Sequence, residues 1–202
     1  MNPRPGHTLE PDYFERVYAR GADPWSFATS EYERAKYADT LAALPRPPYR
    51  RGLEVGCSIG VLTAQLARRC RALEALDVHE GALADARRRS AGLPHVRFHR
   101  MMFPREAPGG TFDLAVVSEV AYYWGGGEFD AALALLLERL EDGGHLVLVH
   151  YTPEETDYPL TGDEVHERFL ATPGLRHLRG HRASRYRLDV FERALERPDG
   201  GG

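Results

Sequence analysis

From residue 51 onward, apolar strand-like runs alternate with stretches of helical periodicity, and that order admits few folds. RGLEVG (51–56) precedes VLTAQLARRC (61–70), whose Leu62, Leu66 and Cys70 share one helical face. ALEALD, EGALADARRR and HVRFHRM then read as strand, helix and strand. FDLAVVSEV (112–120) is a near-continuous apolar run, the kind that a parallel sheet buries on both faces. In EFDAALALLLERL, Phe129, Leu133, Leu136, Leu137 and Leu140 form an apolar stripe, and Gly143–Gly144 are expected to end that helix before the strand HLVLVH. After a loop and a helix near 163–172, strand-like runs at about 175–183 and 186–194 have little between them, which predicts an antiparallel pair. The expected fold class is α/β: a doubly wound, seven-stranded, mostly parallel sheet with an antiparallel last strand.

Two helices, about 9–20 and 29–44, come first, parted by GADPWSF, and PRPP at 45–48 closes this segment. The chain of 202 residues is expected to form one domain, with 1–48 as an N-terminal helical cap, 49–194 as a ligand-binding core and 195–202 as a frayed tail. A formal charge of −4 exerts no pull toward phosphate backbones, so no nucleic-acid partner is expected. No run approaches the roughly 20 apolar residues of a membrane span, and MNPRPGHTLEP lacks the apolar core of a signal peptide. Two cysteines build no disulfide framework, which fits a reducing cytoplasm. Oligomeric state is left open.

Ligands of such sheets bind beyond the carboxyl ends of the central strands, and LEVGCSIG (53–60) lies there. Gly56 permits a tight turn, Gly60 lets the backbone approach closely, and the following helix N-terminus offers free N–H groups. Asp77, at the end of the second strand, is placed to accept both hydroxyls of a ribose. A P-loop would need Gly-Lys-Ser/Thr where Gly60-Val61 stands, and a dinucleotide loop would need glycines where Ser58 and Val61 stand.

With its loop, acid and closing strands, the chain resembles the class I S-adenosylmethionine-dependent methyltransferases, whose Rossmann-like loop is matched by Glu54, Gly56 and Gly60. DPWSF, EYERAKYA, LEVGCSIG, FDLAVVSEVAYYW, GGHLVLVH and DYPLTGDEVH are similar, more closely, to the NodS-type N-methyltransferases. The resemblance implies a small-molecule methyltransferase that uses S-adenosylmethionine and releases S-adenosylhomocysteine, with an amino-sugar amine as the acceptor. It implies that Glu54, Gly56, Cys57, Ser58 and Gly60 hold the methionine part, Asp77 the ribose, and Val78 the adenine. Glu119 to Tyr123 would face the sulfonium and the acceptor, and Trp25 and Tyr32 would close over the cofactor. Where the family has an acid for the adenine amino group, this chain has Met102, leaving the Phe103 N–H as a donor to a ring nitrogen.

A nitrogen or oxygen acceptor must present a lone pair, so a base is expected. Glu119 and His150, each at a strand end on the same rim, compete for that role, and Tyr122 is expected to orient the acceptor by its hydroxyl or ring. Asp157, Asp163 and Glu164 suggest either an acidic lid or, through Thr161 and Asp163, a helix cap. No metal site is expected, because His95/His99 and His177/His181 lack a third ligand. An O-methyltransferase of a small metabolite and a non-catalytic cofactor-binding module stay open as alternatives.

Overall fold

The computed structural model describes residues 4–153 and 155–194; the expected tail at 195–202 lies outside the described residues. Helices α1 (Pro11–Tyr18) and α2 (Glu31–Ala42) precede strand β1 (Gly52–Val55). Then come α3 (Val61–Leu66), β2 (Leu73–Asp77), α4 (Glu80–Arg89), β3 (Val96–Arg100) and β4 (Phe112–Ser118). The chain continues through α5 (Gly126–Arg139), β5 (Leu140–Tyr151), α6 (Gly162–Leu170), β6 (Leu175–Arg182) and β7 (Tyr186–Arg193). Short 3-10 turns occupy Ala67–Arg69 and Ala121–Tyr123.

The strands form one seven-stranded sheet in the order β3-β2-β1-β4-β5-β7-β6. Pairings among β1 to β5 are parallel, while β7 runs antiparallel to both β5 and β6, as the spacing of the last two runs predicts. From Leu114 on, β4 alternates between the two faces, and so does β5 from Leu146. Ala115, Val117, Leu146 and Leu148 pack with Phe129 and Leu136 of α5 and Phe169 of α6. Leu114, Val116, Val147 and Val149 pack on the other face, with Tyr37 of α2 and Leu62 and Leu66 of α3. Fully burying one such Leu, Val or Phe contributes roughly 1.5–3 kcal/mol, so the two layers hold the central strands from both sides.

Helix ends are defined by local chemistry. Ser30 caps α2 through the Glu33 N–H, and a reciprocal capping box of Thr161 and Glu164 starts α6. Phe129, Leu133 and Leu136 of the expected stripe pack into the core from α5, but Leu140 already belongs to β5, and Gly143–Gly144 do not end that helix. It stops at Arg139 and the chain enters β5 at once; Gly143, with φ +71, lies instead in the irregular start of that strand, where the register against β4 shifts. Among the described residues, no helix is long and apolar enough to cross a membrane.

The β1–α3 junction depends on one close approach. Gly60 adopts φ +76, and a Cβ there would stand 2.8 Å from the Ala86 backbone in α4. Gly60→Ala is therefore expected to destabilise the protein by roughly 2–4 kcal/mol, combining left-handed strain with overpacking. Chemical denaturation reads this directly, and an unchanged midpoint would mean that α4 yields without cost.

Candidate active site

A cavity of about 460 Å³, within the usual range for small-molecule sites, opens at the carboxyl ends of β1, β2, β4 and β5. The expected residues Trp25, Tyr32, Glu54, Gly56, Cys57, Ser58, Asp77, Val78, Met102, Phe103, Glu119 and Tyr122 all line it. Gly60 stands just behind the loop as the start of α3, and His150 is absent from the wall.

Between β1 and α3 the loop is tight. Gly56 has φ +80, and a Cβ there would lie 3.0 Å from Val120. Ser58, a non-glycine residue, sits at φ +48, in the left-handed region. Its N–H donates to Asp77 Oδ2 at 2.8 Å, and its hydroxyl lies 2.6 Å from the Tyr18 hydroxyl of α1. Asp77 also accepts the His79 N–H at 2.9 Å, so two backbone donors orient a carboxylate that burial pushes upward in pKa. Glu54 is only 2% exposed and its Oε2 has no hydrogen-bond partner; burial pushes its carboxyl up to about 8. Burial likewise raises the Cys57 thiol, which makes it a small packing residue rather than a nucleophile.

Just after β3, Met102 occupies the wall as the sequence places it, and its N–H donates to Glu106 at 3.2 Å. Tyr18 stacks on His79 at 4.1 Å and meets Trp25 edge-on, so α1 and the following segment cover this end.

The opposite end centres on Glu119, a non-glycine residue at φ +56 directly after β4. Its Oε1 takes the Lys36 ammonium at 2.5 Å, while its Oε2 accepts the Tyr122 hydroxyl at 2.7 Å and the Tyr151 N–H at 2.9 Å. Three of its four lone-pair positions already face donors, which runs against the expected role of proton acceptor. Tyr122 stacks on Tyr158 at 5.0 Å, and the Arg185 guanidinium lies over the rings of Tyr32 and Tyr151 at the rim.

His150 is a correction. It is fully buried: its Nε2 accepts the Ala121 N–H at 3.2 Å, and its Nδ1 lies 3.1 Å from His166 Nε2. His166 Nδ1 in turn lies 2.6 Å from Asp189 Oδ2. Because Nε2 of His150 must accept, its Nδ1 donates to His166, whose Nδ1 donates to Asp189, so both rings are neutral. The histidine supports the turn from below and is not available to an acceptor. Two acids of the late loop are committed elsewhere: Asp163 pairs with Arg182 and Arg187, and Glu164 completes the expected Thr161 cap of α6 and pairs with Arg4, while Glu155 of the same loop lines the cavity. Among the described residues, no group of three His, Cys, Asp or Glu side chains could hold a metal ion.

Sequence reasoning missed Glu33, Lys36, Tyr18, Tyr151 and Arg185, all in the wall. The available signal was the i,i+3 spacing of Glu33 and Lys36 in EYERAKYA, beside aromatic residues on the same helix.

A seven-stranded sheet of this order, with β7 reversed, a glycine loop after β1 and a carboxylate ending β2, is the class I methyltransferase fold. The family model for Nodulation protein S (NodS) matches residues 12–152, and the chain belongs to that family. Nodulation protein S of Rhizobium tropici is 37% identical over 127 residues, which are 62% of this chain and 53% of that protein. The chain spans about half the length of the curated relatives it matches. The crystal structure of the N-methyltransferase NodS from Bradyrhizobium japonicum WM9 with S-adenosyl-L-homocysteine superposes with a TM-score of 0.79 at 25% identity, covering 90% of this chain and 97% of that one. A putative methyltransferase from Pseudomonas syringae is 36% identical, with a TM-score of 0.71 over 81% of this chain and 100% of that one.

The histidine pair carries a pH signature. Burial first, then His166 and Lys36, hold His150 well below the ordinary value of 6.5, and burial lowers His166 despite Asp189. The unfolded chain therefore binds more protons below about pH 6.5, and stability is lost as pH falls, at up to about 1.4 kcal/mol per pH unit for each histidine. Denaturation midpoints from pH 8 to 5 should fall along this slope and fall less steeply in His150→Gln. A flat profile would show that the folded pair accepts a proton.

Proposed function

We propose that the protein transfers a methyl group from S-adenosylmethionine to the nitrogen of a small amine, and that an amino sugar is the acceptor. The observation that carries this reading is the single cavity joining the β1 loop and Asp77 at one end to the Glu119 turn at the other, in a member of the NodS family. When bound, S-adenosylmethionine supplies an electrophilic methyl group on a sulfonium.

The wall fits that cofactor on its own chemistry. The orphaned, buried Glu54 oxygen suits an ammonium, and Asp77 keeps lone pairs for ribose hydroxyls. Val78, Met102 and Phe103 supply an apolar end for a purine, with no side-chain carboxylate at position 102. Trp25 and Tyr32 line the cavity on the side of the N-terminal segment, where they would close over the cofactor. We read residues 1–48 as the cap and 49–194 as the cofactor-binding core of one domain. Much of the rate enhancement in such a displacement comes from holding donor and acceptor in line, which the turn at 119–123 is built to do.

Two experiments test the reading. Incubation with glucosamine, simple amines and phenols should release S-adenosylhomocysteine with amines; turnover on phenols alone would overturn the nitrogen assignment. Calorimetry of cofactor binding tests Glu54. Its carboxyl, near 8 when free, is protonated at pH 7, and an ammonium beside it favours the ionised form. Binding should then release close to one proton at pH 7, and affinity should rise with pH toward about 8. Glu54→Gln should bind without that proton release, and an unchanged release would remove Glu54 from the cofactor site.

A further inference from the structure

Glu33, Lys36 and Glu119 form a carboxylate–ammonium–carboxylate row in the cavity wall. Lys36 Nζ lies 2.8 Å from Glu33 and 2.5 Å from Glu119, with the Glu33, Lys36 and Glu119 side chains 8%, 1% and 12% exposed. Within the row, two carboxylates against one ammonium leave one negative charge over, and the further cation beside them, the Arg185 guanidinium, sits out at the solvent-exposed rim. In a desolvated wall such a surplus is costly until a cation meets it.

The two carboxylates are not equivalent. Glu119 is committed to Lys36, Tyr122 and Tyr151. Glu33 accepts the Lys36 ammonium at Oε1 at 2.9 Å; its Oε2 lies 2.8 Å from the same ammonium but out of hydrogen-bond alignment, so its hydrogen-bonding capacity is unfilled. The groups around it are Lys36, Tyr32 and Tyr37 from α2, Glu119 after β4, Tyr151 from β5 and Arg185 from the β6–β7 turn. Burial raises the Glu33 carboxyl above the ordinary glutamate value, with Lys36 pulling the other way and Glu119 adding to the rise. A carboxylate raised in this manner is better suited to take a proton near neutral pH than an ordinary one.

We propose that Glu33, rather than Glu119, binds the acceptor's ammonium and receives its proton. The proposal rests on the amine-methylation reading and names its base. One N–H bond of the ammonium breaks and one O–H bond forms on Glu33 Oε2. The charges on the two groups cancel, the nitrogen keeps the lone pair it needs, and the Lys36–Glu119 pair is left neutral overall.

The test uses the full chain and Glu33→Gln, with glucosamine as the probe. Glucosamine binding to the S-adenosylhomocysteine complex is measured by calorimetry from pH 6 to 9, alongside methyl transfer over the same range. At pH 7 the variant should lose about tenfold or more in both, and the gap should close above the pKa of the amine, where it arrives unprotonated. Affinity for S-adenosylhomocysteine should stay within about twofold, which also reports an intact fold. A loss equal at every pH, or a parallel loss of S-adenosylhomocysteine affinity, overturns the assignment. Wild-type protein that neither binds nor methylates any amine overturns the amine reading itself, and Glu33 with it, an outcome separate from any result on the variant.

Discussion

One partly buried carboxylate ties the candidate site together. Glu119 leaves β4 in a left-handed conformation that costs an L-residue about 1–2 kcal/mol, and it spends its oxygens on three different elements. Lys36 comes from α2, Tyr122 from the following 3-10 turn, and the Tyr151 N–H from the end of β5. Removing one partner of a buried pair typically costs 3–5 kcal/mol, because the other charge is left stranded. The N-terminal segment is therefore bound to the sheet through a charge, at the point where the cavity meets the strand ends. An apolar contact could press α2 against the sheet equally well, but it would not fix which atoms meet.

The same turn is held from below by a different chemistry. The Ala121 N–H ends on His150, which hands its own proton toward His166 and Asp189. Each link demands a defined tautomer, so the row is rigid as long as both rings stay neutral. Between the two networks, residues 119–123 have little freedom. The covering segment, by contrast, is attached by scattered bonds such as Leu9 N–H to the Tyr123 carbonyl and Gly125 N–H to Thr8.

Most of the sheet was legible in the sequence, because its signal is local: apolar runs of strand length between helices, and a short link before the reversed strand. Glu54, Gly56 and Asp77 were legible for a similar reason, since a strand-end loop and the next strand's terminal acid are fixed by chain order. The α5–β5 junction was not, because a helix that runs straight into a strand leaves the two glycines to shape the strand. His150 was misread because a strand-end position leaves open which way the ring points, and here it points into the core against α6. Lys36 and Glu33 were missed because charges on a short helix ordinarily face water. Their burial depends on Glu119, eighty-three positions from Lys36. Of the two readings of the late-loop acids, the helix cap was legible because Thr161 and Glu164 are local, whereas the arginine partners of Asp163 and Glu164 come from β6, β7 and the N-terminus.

Ser58 shows how a serine is accommodated at a loop position whose backbone favours glycine. At φ +48 a glycine would sit without strain, and the serine carries the cost. Its N–H is oriented by Asp77, which anchors the residue whatever its side chain. Only the hydroxyl distinguishes it from glycine, and that hydroxyl is 2.6 Å from Tyr18, whose ring is itself stacked on His79. A net hydrogen bond contributes about 0.5–1.5 kcal/mol, similar in size to the strain it offsets. The exchange is nearly neutral for stability but not for geometry. With serine, the glycine-rich loop and the covering helix are bonded to each other across the mouth of the cavity, and with glycine they would only touch.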